Sequence, residues 1–150
     1  VYETIFFPLP LGEGIGGGKV QGVRISKGGI MDDFPKFMKN PKNRIHSESH
    51  YVKGLEGFVF DGADGGQVIL WSCRDAGVAE EHSHPFDEYI VTVQGEYILH
   101  MGGKAISLKP GQECLVPKGT KHYGERVVGG TRTIHAFGGK RAVRETEFKG

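Results

Sequence analysis

Two things are scarce in this chain of 150 residues, and each scarcity excludes a class of protein. Cysteine occurs only at Cys73 and Cys114. They form no Cys-x-x-Cys pair and no disulfide framework. Both are expected as reduced thiols that pack like small apolar residues in a cytosolic protein. Excess charge of one sign is also missing, since 19 Lys and Arg face 18 Asp and Glu, for a formal net charge of +1. That balance supplies no bulk field to steer the chain to nucleic acid or to a membrane surface. No apolar run approaches the ~20 residues of a membrane-spanning helix. The start, Val1 to Phe7, lacks the basic and long apolar regions of a signal peptide, so a cytoplasmic location is expected. It also lacks an initiator Met, which leaves room for residues upstream.

Glycine, by contrast, is abundant, at 25 of 150 residues, and is spread without a period. Glycine at short intervals suits short strands joined by tight turns. From residue 57 onward β-rich runs alternate with turn signals. Strands are expected over Phe58 to Phe60, Gln67 to Cys73, Val78 to His84, Glu88 to Val93, Tyr97 to Met101, Lys104 to Leu108, Glu113 to Val116 and Thr131 to Phe137. Gly102-Gly103 is a two-residue hairpin signal, and Pro110-Gly111 suits the centre of a type II turn. Turn signals at about 8–12-residue spacing mark an all-β sandwich or barrel.

One domain over 1–150 is expected, with an irregular N-terminal arm over about 1–56 and a barrel core over about 57–140. In the arm, Tyr2 to Phe7 and Val20 to Ser26 can be strands. Phe34, Phe37 and Met38, between Asp32-Asp33 and Asn40-Pro41, suggest one short capped helix.

The chemistry concentrates in the second half. His82 and His84 are two apart on an expected strand, so both imidazoles leave one face. Pro85 turns the chain and Glu88 opens the next strand, where an antiparallel neighbour can set a carboxylate beside the imidazoles. His122 lies three residues after Gly119, at the end of another turn. Three imidazoles and a carboxylate can thus converge from three segments.

These residues resemble the cupins. The first cupin motif places His-x-His and a Glu between two glycines, and here it reads Gly77, His82, His84, Glu88 and Gly95. The second runs from Gly through Pro-x-Gly to His, and here it reads Gly111, Pro117, Gly119 and His122. The gap before the first His is one residue short of the usual pattern. The Asn that often closes the second motif is replaced, since Glu125 or Arg126 stands there. Neither departure touches a ligand. The resemblance implies a double-stranded β-helix, or jelly-roll barrel, with a metal at its mouth, and dimers are common in the family. Carried over residue by residue, it implies metal ligands His82, His84, Glu88 and His122.

Imidazole and carboxylate suit Fe, Mn, Ni, Zn or Cu, with no thiolate to bias toward soft metals. An octahedral ion on four protein ligands keeps two open positions for water, dioxygen or a chelating substrate. A closed four-ligand Zn site would instead be structural. Cupin-like sites of this composition occur in dioxygenases, isomerases, lyases and decarboxylases. The expected function is therefore a metal-dependent enzyme acting on a small polar or carboxylate-bearing molecule, with a non-catalytic binding or sensing module as the alternative.

Weaker features complete the reading. Thr131, Thr133, His135 and Phe137 share one strand face, which makes His135 a candidate acid, base or substrate contact; a merely hydrogen-bonded His is the alternative. Ile90 and Thr92 share the face of Glu88 and are expected to line the same pocket. Tyr123 and Glu125 flank His122 and could hold a bond behind the ligands, Tyr123 also as a pocket residue. Asp87 and Tyr89 have the opposite parity from Glu88 and are expected outside, and Trp71 is expected in the core. Gly12 to Gly17 satisfies Gly-x-Gly-x-x-Gly, but no helix pattern follows it, so a flexible loop is expected rather than a phosphate site. His46 and His50 bracket Ser-Glu-Ser, with the Glu at the wrong offset for a zincin helix, and suggest a surface or lid segment.

Overall fold

The computed structural model describes residues 31–46 and 54–149. The chain divides into Val1–Met31 and Asp32–Gly150. The expected strands at Tyr2 to Phe7 and Val20 to Ser26, the Gly12 to Gly17 loop and His50 lie outside the described residues.

Within Asp32–Gly150 the described residues form nine strands. In chain order they are β1 (Leu55–Asp61), β2 (Gln67–Cys73), β3 (Gly77–Val78), β4 (Glu88–Gln94), β5 (Tyr97–Met101), β6 (Lys104–Leu108), β7 (Glu113–Val116), β8 (His122–Arg126) and β9 (Arg132–Phe137). They make a five-stranded sheet, β1-β2-β9-β4-β7, and a four-stranded sheet, β3-β8-β5-β6. Every pairing is antiparallel. This is the jelly-roll architecture expected from the motifs.

Period-two patterning explains the layering. Along β4, Glu88, Ile90 and Thr92 are buried while Tyr89 is exposed. Ile90 and Val116 of one sheet pack against Tyr97, Leu99 and Leu108 of the other. A second cluster gathers Val59, Ile69, Trp71 and Phe137 with Ile45 and Ala142. Ile69, Ile90 and Leu99 are fully buried, each contributing about 1.5–3 kcal/mol of burial. The β5–β6 hairpin turns at Gly102 and Gly103, with φ of 60° and 75°, the left-handed pair that a tight hairpin requires.

Two expectations need correction. The strand expected over Val78 to His84 is reduced to β3, only Gly77–Val78. The backbone of His82 instead makes a single bridge to His122, N to O at 3.0 and 2.9 Å. Pro85 and the turn behind it stop the ladder from extending. The helix expected near Phe34 is a single 3-10 turn, Lys36–Met38, without a side-chain cap. Pro35 and Pro41 crowd it at both ends, and Phe37 is 81% exposed, so no continuous apolar face forms. Phe34 is buried under the Arg132 guanidinium, 4.9 Å from its ring centroid.

Cys73 is buried, Cys114 is half-buried, and both are unpaired. No described helix is long and apolar enough to cross a membrane.

Candidate metal centre

Four side chains meet where the two sheets approach each other. Glu88 opens β4, His122 opens β8, and His82 is tied to His122 by the backbone bridge. His84 follows in an extended segment whose carbonyl accepts from Gly119 N–H at 2.8 Å. The ligand atoms of His82, His84, Glu88 and His122 all lie within 4.8 Å of one another. Bonds of about 2.0–2.2 Å around one ion separate such atoms by roughly 3–4 Å, so only a slight tightening is needed.

The hydrogen bonds point each imidazole. His82 Nδ1 donates to the Glu80 carbonyl at 2.8 Å, and His122 Nδ1 donates to the Thr120 carbonyl at 2.8 Å. A carbonyl accepts only, so in each neutral ring the proton sits on Nδ1 and the Nε2 lone pair faces inward. His122 Nε2 lies 2.9 Å from Glu88 Oε2. Two lone pairs at that distance repel unless a proton or a cation lies between them. His84 Nε2 is buried, 3.2 Å from the same oxygen, yet makes no hydrogen bond. This nitrogen is an orphan of the kind a metal ion satisfies. His84 itself is clamped by stacking on Phe86, with centroids 5.0 Å apart and planes at 9°.

Electrostatics agree with this arrangement. Burial pushes the Glu88 carboxyl up, but the close approach of the His122, His135 and His84 imidazoles outweighs it and holds it far below the carboxylate range. Burial pushes His122 down, but Glu88 and the Thr120 carbonyl overcome it and leave it above the usual imidazole value. Burial dominates at His82 and keeps it below that value, hence neutral and able to ligate.

His135 lies on β9, buried, with both nitrogens engaged. Nδ1 donates to Glu88 Oε1 at 2.6 Å, and Nε2 accepts from the Thr133 hydroxyl at 2.9 Å. Burial lowers its pKa against the pull of Glu88, which matches the neutral ring these bonds require. It therefore stands behind Glu88 as the partner of its second oxygen.

A cavity of about 50 Å³ adjoins the cluster. Its walls include His82, Glu88, His122 and His135, with Leu55, Trp71 and Phe137 on the apolar side. Tyr97, Gly124, Arg126 and Arg141 line it too. Trp71 thus serves both the core cluster and the cavity wall. Gly124 is required here, because a Cβ on it would overlap the Tyr97 phenol ring.

Ile90 and Thr92 share the inward face of Glu88 but do not line this cavity. Ile90 is sealed in the core with Tyr97 and Leu99, and Thr92 is buried with its hydroxyl unpartnered. Tyr123 faces away from the cluster and stacks on His100 at 4.3 Å. Glu125 accepts from that His100 Nε2 at 3.1 Å. Asp87 and Tyr89 are exposed; Asp87 accepts from Lys118 N–H, and Tyr89 donates to Glu113. His46 stacks on Phe148, with centroids 3.6 Å apart.

The sequence reading overlooked Tyr97, Arg126 and Arg141 as wall residues. Arg126 carried a usable signal, since it shares the parity of His122 on one strand. Arg141 carried none, because it lies in the irregular tail beyond β9.

Residues 73–140 match the cupin domain family model, and the chain carries a cupin domain. Its fold is similar to that of KdgF from Halomonas sp., at 18% identity over 62% of this chain and 91% of that one, with a TM-score of 0.53. An RmlC-like cupin from Shewanella frigidimarina is 17% identical over 69% of this chain and 97% of its own, with a TM-score of 0.52. Oxalate decarboxylase of Bacillus subtilis, a protein with Mn(II) centres, is 13% identical over 63% of this chain but only 28% of its own, with a TM-score of 0.51. At these identities the likeness shows the fold. No curated protein matches the chain in sequence.

Proposed function

We propose that this chain is a metal-dependent enzyme in which His82, His84, Glu88 and His122 hold one divalent transition ion, Fe, Mn, Ni, Zn or Cu. It acts on a small polar or carboxylate-bearing molecule, by chemistry of the dioxygenase, isomerase or lyase type. The observation that carries the reading is the set of inward nitrogens: Nε2 of His82 and His122 fixed by carbonyls behind them, and Nε2 of His84 buried without a partner. Such a set without an ion stacks lone pairs against a carboxylate; an ion relieves this. The ion, when bound, supplies Lewis acidity at whatever positions the protein leaves open.

The chain's own residues do the rest. Glu88 presents Oε2 to the imidazoles while His135 holds Oε1, so the carboxylate cannot rotate. Leu55, Trp71 and Phe137 give the adjoining space an apolar wall. His135 remains the candidate catalytic group and would keep a proton at Nδ1 beside Glu88.

A second reading is a non-catalytic binding or sensing module. It is favoured by the engagement of both His135 nitrogens, which leaves that ring no free lone pair for a base. Cytoplasmic location and a homodimer belong to the same proposal, supported respectively by the two unpaired thiols and by exposed Leu115 and Tyr89 on neighbouring strands.

Elemental analysis of protein purified without added metal tests the centre. One ion per chain is expected, lost in His84→Ala and His122→Ala while circular dichroism still reports a folded β protein. Full metal content in both variants would sink the ligand assignment. Turnover of a candidate substrate, against a saturable rise in melting temperature without turnover, separates enzyme from binder.

A further inference from the structure

One cavity-lining side chain is used by neither the core nor the proposed metal chemistry. Arg126 ends β8 on the inward face, in line with Gly124 and His122. It is 4% exposed, and its Nε has no hydrogen-bond partner. Its guanidinium carbon lies 5.4 Å from the Tyr97 ring centroid, and its charge also acts on His135. No ion pair forms between Arg126 and any described carboxylate. Neighbouring Glu125 is turned to His100, and Glu88 is already shared by three imidazoles.

A buried guanidinium without a carboxylate costs the fold stability, because its desolvation is not repaid by a counter-charge. A Met of similar length would fill the same space without that cost. Arg also differs from Lys in offering a planar fork that matches a carboxylate in two parallel bonds. The same cavity wall includes Gly124, whose missing side chain makes room for the Tyr97 ring between Arg126 and His122 on β8. Arg141 adds a second guanidinium to the same walls.

We propose that Arg126 is the anion-recognition residue of this cavity, and that it receives the carboxylate of a small ligand, a short oxo- or hydroxy-acid. A cavity of about 50 Å³ with an apolar side at Trp71 and Phe137 suits a ligand of a few carbons and one carboxylate. The inference rests on the proposed metal reading only in setting the ligand's other end toward the histidines.

Trp71, the chain's single tryptophan, lines the cavity and reports on occupancy by its fluorescence. Pyruvate and its uncharged amide, pyruvamide, are titrated into wild type, Arg126→Met and Arg126→Lys, each with Zn²⁺ loaded and again with chelator present. Pyruvate is expected to give a saturable change in wild type, with pyruvamide at least tenfold weaker. Arg126→Met should keep its metal content and melt no lower than wild type while binding pyruvate roughly 10- to 100-fold more weakly. Arg126→Lys, which keeps the charge, should fall between them and decides the matter if the Met variant does not fold. Unchanged pyruvate affinity in either folded variant overturns the proposal. So does equal binding of the amide, or no saturable response in wild type under both metal conditions. A wild type that takes up no Zn²⁺ yet binds pyruvate through Arg126 refutes the metal reading and leaves the anion site standing.

Discussion

Replacing His135 with Ala probes how Glu88 is held. The imidazole makes two buried bonds, Nδ1 to Glu88 Oε1 at 2.6 Å and Nε2 from Thr133 Oγ1 at 2.9 Å. The first is charge-assisted and is worth about 1.5–3 kcal/mol. Losing the second strands a buried hydroxyl, at about 1–3 kcal/mol. The two are not independent, and the emptied space can admit water, so the variant should lose about 2–5 kcal/mol of stability without metal. Freed at Oε1, Glu88 can rotate away from the imidazoles. Loss of a partner behind a ligand usually costs about 10- to 100-fold in metal affinity. Urea unfolding in chelator reads the first effect, and Zn²⁺ competition against a chromophoric chelator reads the second. His135→Gln can still donate to Glu88 and should recover part of the affinity. A His135→Ala protein with a lowered urea midpoint but wild-type Zn²⁺ affinity would mean that His135 only fills space, and the positioning argument fails.

Gly124→Ala forces a Cβ into the Tyr97 ring and should cost about 1–3 kcal/mol in urea unfolding, relieved in the double variant with Tyr97→Ala; an unchanged midpoint refutes the close approach. Acid should weaken the metal-free protein through Glu88. Its folded pKa lies below the unfolded one, so its stabilisation is full above about pH 5 and is lost as pH falls through the folded value. His122, with a raised folded pKa, keeps its contribution across that acid range and loses it only as pH rises through that raised value. Glu88→Gln should therefore show a flatter stability profile between pH 5 and 3 than wild type, and parallel profiles would contradict this. Chelated protein should stay folded, because both apolar clusters lie outside the ligand set; added Zn²⁺ should raise stability by about 2.7 kcal/mol at a hundredfold excess over Kd. Unfolding on chelation would instead make the metal structural.

Much of this was legible from local pattern. The period-two burial of β4 follows directly from the alternation of Glu88, Ile90 and Thr92 with exposed Tyr89. The Gly102-Gly103 hairpin needed only its two positive φ angles. The four residues of the cluster were readable in order because His-x-His, a following Glu and a Gly-bounded His are local signatures. Parity alone misplaced the pocket, however. Ile90 and Thr92 do share the face of Glu88, but that face runs the whole barrel, and beyond Glu88 it is filled by Tyr97 and Leu99. The strand expected at Val78 to His84 failed for a related reason: one bridge to His122 holds both imidazoles inward without a ladder.

By itself, then, the sequence determined most of the strands, the tight turns and the order of the candidate donor residues, since these depend on neighbours a few residues apart; β8 was not anticipated. Tertiary structure alone decided which nitrogen of each imidazole faces inward. It also decided that His135, 47 residues from Glu88, grips the carboxylate's second oxygen, and that Arg126 is sealed in a cavity without a counter-ion. Those outcomes depend on the pairing of β9 with β4 and of β8 with β5, which brings distant groups out of water together, and no local pattern encodes that meeting.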